Sequence, residues 1–353
     1  MKRRRFIAAL SAIASARSIL EAAGAERTRL GICAFSCHQH WKAAGAGETG
    51  VKFKDTIGFY RYARELGFEG VQTSLRPDNT PTARAIRDIV ELDIGYYEGE
   101  VRLPKADADL AAFEESVKRV REAGAGVART VFTSGRRYEV FKTAEEFRAF
   151  QDQAKRSLEL AEPVLARHRL RLAVENHKDL TTDELLGLMH GISSEWVGVL
   201  VDTGNNIALL EEPHAVVEAL APFVLSVHLK DMAVKPYEEG FLLSEVPLGT
   251  GALDLTRMTS TLTKANPALV FNLEMATRDP LRVPCLTDAY FTTFPGRKAE
   301  RLAPMMDWVK AHPPKAEPPS VSGKPVAQIL AEEEANNRHG FGWMGKNLAG
   351  FKG

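Results

Sequence analysis

The sequence predicts an α/β chain whose strands close into a (β/α)8 barrel of the TIM type, followed by a C-terminal extension. Three observations carry that expectation. Short apolar runs and helical periodicities alternate eight times, the pattern of parallel strands joined by crossover helices. No Gly-x-Gly-x-x-Gly follows the first run, as an open dinucleotide-binding sheet would require. Four successive runs in the second half end on an acid or an imidazole, at Glu175, Asp202, His228 and Glu274. In a closed parallel barrel every strand opens its carboxyl end on one rim, so these four residues should meet there.

The expected strands, in order, are Leu30 to Phe35, Gly70 to Ser74, Ile94 to Glu98, Val127 to Thr133, Leu170 to Glu175, Val197 to Asp202, Val224 to Leu229 and Leu269 to Glu274. Between them, apolar residues recur at three and four over Thr56 to Leu66, Pro81 to Leu92, Ala108 to Ala123, Ala144 to Arg167, Thr182 to His190, Pro213 to Ala219 and Leu253 to Ala265, the period of helices with one buried face. Glu175 to Asp202 is 27 residues and Asp202 to His228 is 26, each one strand-helix unit. His228 to Glu274 is longer, and a loop over Met232 to Gly251 accounts for the excess. Arg278 to Gly296 is too rich in proline for a regular element and should form a loop over the rim. Residues 28–312 thus make the barrel. The extension, residues 313–353, opens Pro-Pro-Lys-Ala-Glu-Pro-Pro-Ser, holds a short helix near Val326 to Asn336, and carries Phe341 and Trp343, which should pack on the barrel or on a second subunit of a homo-oligomer.

Composition narrows the function. A chain of 353 residues with 44% apolar content suits one barrel of about 250 residues with extensions, and no second domain is needed. The formal net charge is zero, which removes the electrostatic footprint of a nucleic-acid binder. Residues 1–25 begin Met-Lys-Arg-Arg-Arg-Phe-Ile and continue with a short apolar stretch and small residues, the signature of an export signal of the twin-arginine kind. The expected location is periplasmic or extracellular, with no membrane span after signal removal, since no other segment approaches about 18 apolar residues. Cys33, Cys37 and Cys285 are odd in number, and the first two sit too far apart on one expected strand to bridge. No Cys-x-x-Cys pair suggests structural zinc.

Three carboxylates and one imidazole form a hard, oxygen-rich donor set. It suits one divalent ion, Mn²⁺ first, with Mg²⁺, Co²⁺ or Zn²⁺ as alternatives. His177 and Lys230 each lie two residues beyond a ligand candidate and share its strand face if the strand continues. Both are substrate-binding candidates, as are Asn205 and His38. Glu98 and Glu100 read as structural.

The segments Val-Glu-Asn-His at 174–177, Val-Asp-Thr-Gly-Asn at 201–205, Val-His-Leu-Lys-Asp at 227–231, Pro-Leu-Gly-Thr-Gly at 247–251 and Asn-Leu-Glu-Met at 272–275 resemble the xylose-isomerase-like barrel superfamily of sugar isomerases and epimerases. The resemblance covers roughly Leu30 to Glu274 and is strongest after Leu170. It implies that Glu175, Asp202, His228 and Glu274 bind one divalent metal, and that Glu175 and Glu274 act as acid and base on opposite faces of the substrate. The endonuclease branch, with three zinc ions, carries a His three residues after the Asp. Asn205 stands there, and Leu-Leu-Ser-Glu-Val before Pro247 lacks that branch's Asp-x-His. An Arg shortly after the metal His, frequent among 3-epimerases, is also missing. The resulting expectation is a metal-dependent sugar isomerase or epimerase that abstracts a proton beside a carbonyl and passes through a metal-stabilised enediolate. The alternatives are a lyase or dehydratase that β-eliminates from keto-sugars or 3-ketoglycosides, and a non-catalytic carbohydrate-binding protein. In each the partner is a small sugar or glycoside.

Overall fold

The computed structural model describes residues 28–75, 80–294 and 296–348, so the expected export signal lies outside the described residues. Eight parallel strands close the barrel: β1 (Arg29–Cys33), β2 (Gly70–Gln72), β3 (Tyr96–Glu100), β4 (Val127–Thr130), β5 (Arg171–Glu175), β6 (Val197–Asp202), β7 (Val224–Leu229) and β10 (Val270–Leu273). The ring is completed where β1 pairs with β2 on one side and β10 on the other. The helices are α1 (His38–Gly45), α2 (Thr56–Glu65), α3 (Thr80–Leu92), α4 (Leu110–Glu122), the single turn α5 (Arg137–Val140), α6 (Ala144–His168), α7 (Thr182–Ile192), α8 (Pro213–Leu220), α9 (Leu255–Ala265), α10 (Lys298–Ala311) and α11 (Val326–Asn347).

Side chains that bind their own helix's first free amides set several helix starts. Thr143 with Glu146 and Thr181 with Glu184 form reciprocal capping boxes at α6 and α7. Asp55 and Asp254 cap α2 and α9. Arg169 and Ser193 then take left-handed conformations where α6 and α7 stop.

Four sequence expectations need correction. The span Met232 to Gly251 is largely an antiparallel hairpin, β8 (Asp231–Tyr237) and β9 (Gly240–Val246), rather than a loop. The Pro-rich stretch after β10 contributes a third strand, β11 (Leu281–Val283), to that hairpin's edge and a 3-10 turn at Ala289–Phe291. Here proline marks the ends of short elements rather than their absence. Cys37 lies in a 3-10 turn, Ala34–Cys37, so it does not share a strand with Cys33. The tail helix runs on to Asn347, well past Asn336, and its first glycine, Gly340, sits at a contact rather than at an end. A side chain at Gly340 would collide with Leu273 of β10. The expectation also lacked α1, the single turn α5 and α10; α10 contains Pro304, which disguises its period.

Helix α11 covers the seam where the first and last strands meet. Asn337 Nδ2 donates to Ser36 O at 3.0 Å, and Phe341 packs on Phe68. Glu333, fully buried, accepts from the backbone N–H of Gln39 at 2.8 Å and of His40 at 3.0 Å. A carboxylate from the far end of the chain therefore caps α1.

Candidate active site

Strand alternation brings the four ligand candidates together. Ser226 and His228, two apart on β7, face one side, and pairing sets His228 beside Asp202 of β6 and Asn272 of β10. Glu175 and Asp202 are the last residues of their strands, while Glu274 is one residue past β10. One donor atom from each of the four lies within 4.8 Å of the other three. From His228 Nδ1 the distances are 2.8 Å to Glu274 Oε2, 3.6 Å to Glu175 Oε2 and 4.0 Å to Asp202 Oδ2. An ion held at about 2.1 Å spaces its ligands about 3 to 4.2 Å apart, so the cluster has the dimensions of a coordination shell. Asp202 Oδ2, His228 Nδ1 and Glu274 Oε2 are buried without a hydrogen bond. Three such atoms at one point, compensated by ion pairing with Lys230 and with one another, fit a divalent cation.

Neighbouring groups engage the outward atoms of His228 and Asp202 and both oxygens of Glu175, and so orient these side chains. His228 Nε2 lies 2.6 Å from Gln72 Oε1; because that oxygen only accepts, Nε2 carries a proton, and Nδ1 is the nitrogen turned toward the carboxylates. The Gln72 amide donates in turn to Glu98 Oε2 at 2.8 Å, which also accepts from Ser226 at 2.7 Å and Asn272 at 2.9 Å. Asp202 Oδ1 accepts from the N–H of Gly204 at 2.9 Å and of Asn205 at 2.8 Å. Glu175 accepts from Arg129 Nε at 2.6 Å and from Asn205 Nδ2 at 3.0 Å.

Charge is compensated at close range. Burial would raise the Glu175 carboxyl, but Arg129 and His228 outweigh it and hold the group at about 2. Glu274 is likewise drawn well below the carboxylate range, against its burial, by Lys230 and His228. Lys230 Nζ lies 2.8 Å from Asp202 Oδ2 and 3.2 Å from Glu274 Oε2. Lys178 differs. Its ammonium is buried, pairs with no carboxylate among the described residues, and donates to Asn205 Oδ1, an oxygen that also accepts from Lys230 at 3.2 Å. Burial and the neighbouring Lys230 press its pKa down to about 8.

The sequence-derived candidates divide as follows. Lys230 stands against two of the four ligand candidates and makes no pair with Asp231, which instead accepts the N–H groups of Gly249, Gly251 and Leu253. Asn205 is turned inward as an organiser of Glu175 and both lysines. His177 stands beyond the end of β5 rather than on it, with Nδ1 buried and unpaired; burial and Lys178 lower its pKa to about 3, which keeps it neutral. His38 lies outside the cluster, stacked on Phe35 and 3.6 Å from Glu333. Sequence reasoning missed Gln72, Arg129 and Lys178. Only Lys178 left a signal, a third polar residue directly after the Glu175 segment.

Comparison with known proteins agrees with the fold. The family described as Xylose isomerase-like TIM barrel matches residues 60–312, and the chain belongs to that family. It is 25% identical over 284 residues to the L-ribulose-5-phosphate 3-epimerase of Shigella flexneri, covering 72% of this chain and 89% of that one. It is 34% identical over 114 residues to the 3-oxo-isoapionate decarboxylase of Pectobacterium atrosepticum; that match takes in 32% of this chain and only 42% of the relative's length. A xylose isomerase-like TIM barrel protein from Mycobacterium smegmatis, solved in complex with magnesium, shares the fold at a TM-score of 0.52 and 15% identity, covering 81% of this chain and 99% of that one.

Proposed function

We propose that this member of the xylose isomerase-like family is a metal-dependent sugar isomerase or epimerase that abstracts a proton beside a carbonyl. The observation that carries the reading is the convergence of four buried donors, three of them without a hydrogen bond, around one point. Glu175, Asp202, His228 and Glu274 would hold the ion; the magnesium of the mycobacterial relative supports a hard divalent cation. When bound, the ion polarises the substrate carbonyl and offsets charge that builds on its oxygen.

The protein's own groups do the rest. Glu175 and Glu274 are both held ionised, so either can accept a proton from carbon and return it from its own face. Lys230 and Lys178 present ammonium groups to an oxygen that gains charge, and Asn205 fixes both. With each of the four ligand candidates at 5% exposure or less, bulk water is kept from the intermediate. Residues 1–25 we read as an export signal, which places the enzyme outside the cytoplasm.

A second reading, carbon–carbon or carbon–oxygen cleavage, is favoured by the decarboxylase relative and by Lys178, a buried cation with no carboxylate of its own. Incubation of Mn²⁺-loaded protein with keto-sugars in D₂O separates the two. Deuterium uptake without fragmentation supports isomerisation or epimerisation, and release of carbon dioxide, water or an aglycone supports cleavage. Glu274→Gln should abolish net turnover while retaining weak metal binding; unchanged turnover would remove Glu274 from the mechanism.

A further inference from the structure

A cavity of about 540 Å³ lies beside the rim, between the carboxyl ends of β3 and β4 and the first half of α6. It is separate from the four-donor cluster, yet one side chain belongs to both. Arg129 lines the cavity, and its guanidinium joins Glu100 at 3.2 Å to Glu175 at 2.6 Å. Phe132 and Phe150, set edge to face at 6.3 Å, form an aromatic wall. Thr130 also lines it, and its hydroxyl is buried and makes no hydrogen bond. A buried, unsatisfied hydroxyl costs free energy unless a ligand meets it.

Rings with scattered hydroxyls are the surface that carbohydrate selects: the apolar face of a pyranose lies on an aromatic ring while its edge hydroxyls find polar partners. The space far exceeds that of a phosphate group, and the two cations that line it besides Arg129, Arg102 and Lys105, are both exposed.

From this we infer that the cavity is a second-ring subsite, and that the substrate is a keto-glycoside whose oxidised ring sits at the four-donor centre while its neighbouring sugar ring occupies the cavity. The inference rests on the proposed carbonyl chemistry for the first ring. It narrows the substrate class from free sugars to glycosides of two or more rings.

The test uses the full chain loaded with Mn²⁺ and four probes: glucose, cellobiose and the 3-oxidised form of each. Ser134→Trp fills the cavity from an exposed loop position, and Thr130→Val removes the unpaired hydroxyl at nearly constant volume. The 3-oxidised cellobiose should bind the unaltered protein about tenfold or more tightly than 3-oxidised glucose, as burial of a second ring implies. Ser134→Trp should erase that ratio and leave the affinity for the single ring unchanged, and Thr130→Val should reduce the ratio.

Equal affinities for the one- and two-ring probes, or a Ser134→Trp effect equal on both, overturns the subsite. Competition by inorganic phosphate against the second ring overturns it also, since the cavity would then be an anion site. Deuterium uptake by 3-oxidised glucose reports separately on the first-ring chemistry. Uptake with no preference for two rings sinks the subsite alone. Saturation transfer to cellobiose that Ser134→Trp abolishes, with no uptake from either ketone, keeps the subsite and sinks the carbonyl chemistry.

Discussion

The two halves of the barrel rim do different work. Strands β5, β6 and β7 and the residue after β10 supply the four ligand candidates, while β2 to β4 supply groups that orient them: Gln72 behind His228, Glu98 behind Gln72, and Arg129 behind Glu175. The first set is defined by what it leaves unsatisfied, and the second by how fully it is hydrogen-bonded. The contrast teaches that a site of this kind has a binding half and a tuning half, and that damage to each should be of a different size.

The largest effect belongs to the binding half. His228→Ala should lower Mn²⁺ affinity well beyond the roughly 100-fold that loss of an outer partner costs, measured by calorimetric titration. A smaller loss would mean that the other three residues form the site without it. Lys178→Met should cut turnover by about 100-fold and leave Mn²⁺ affinity and folding intact, because it removes a buried charge that has no carboxylate partner. If metal affinity fell in parallel, Lys178 would belong with the tuning groups instead. Gln72→Leu should weaken Mn²⁺ binding by about 10- to 100-fold, since the imidazole would then be free to carry its proton on Nδ1. No change would show that the outer chain of hydrogen bonds is packing alone.

A separate effect, on stability rather than on metal or turnover, lies outside both halves, at the pair of Glu245 with Arg278, 2.5 Å apart, which ties the hairpin to the segment after β10. Arg278 and Lys230 hold Glu245 at about 2 in the folded protein, against its burial, whereas the unfolded value is about 4.3. A depressed carboxyl stabilises the fold above the unfolded value and loses that contribution as pH falls. Ionised Glu245, with all its cationic neighbours, should therefore add about 3 kcal/mol above pH ~4.3, declining toward pH ~2. Thermal melts from pH 6 to 2.5 should show Glu245→Gln converging on the unaltered protein as acid is added. Parallel curves would disprove it.

The difference between the halves also explains what the sequence disclosed. Ligand candidates stand where an apolar run meets its first acid or imidazole, as in Leu-Val-Asp or Asn-Leu-Glu, so chain position alone marks them. Gln72 ends a strand of three residues, and Arg129 sits inside Val-Ala-Arg-Thr. A polar residue in so short a strand resembles a surface position until the barrel's interior is seen around it. Glu98 was visible as an acid near a strand end, but its three donors come from β2, β7 and β10, and no local pattern connects them. Lys178 escaped because the two-residue rule follows a strand, and β5 stops at Glu175. The hairpin of β8 and β9 was hidden in an interval judged by length, although its alternation of buried positions is plain once paired.

Helix α11 carries a consequence for biosynthesis. The carboxylate that caps α1 is 293 residues downstream of His40, and the amide that holds Ser36 is 301 residues from it. A ribosome delivers the chain from its amino end, so the opening loop of the barrel waits for nearly 300 further residues before its cap arrives. Translation stopped before Val326 leaves the junction of β1 and β10 bare along Phe68 and Leu273. Full-length and foreshortened products are thereby distinguishable by the apolar stripe that only the last helix hides.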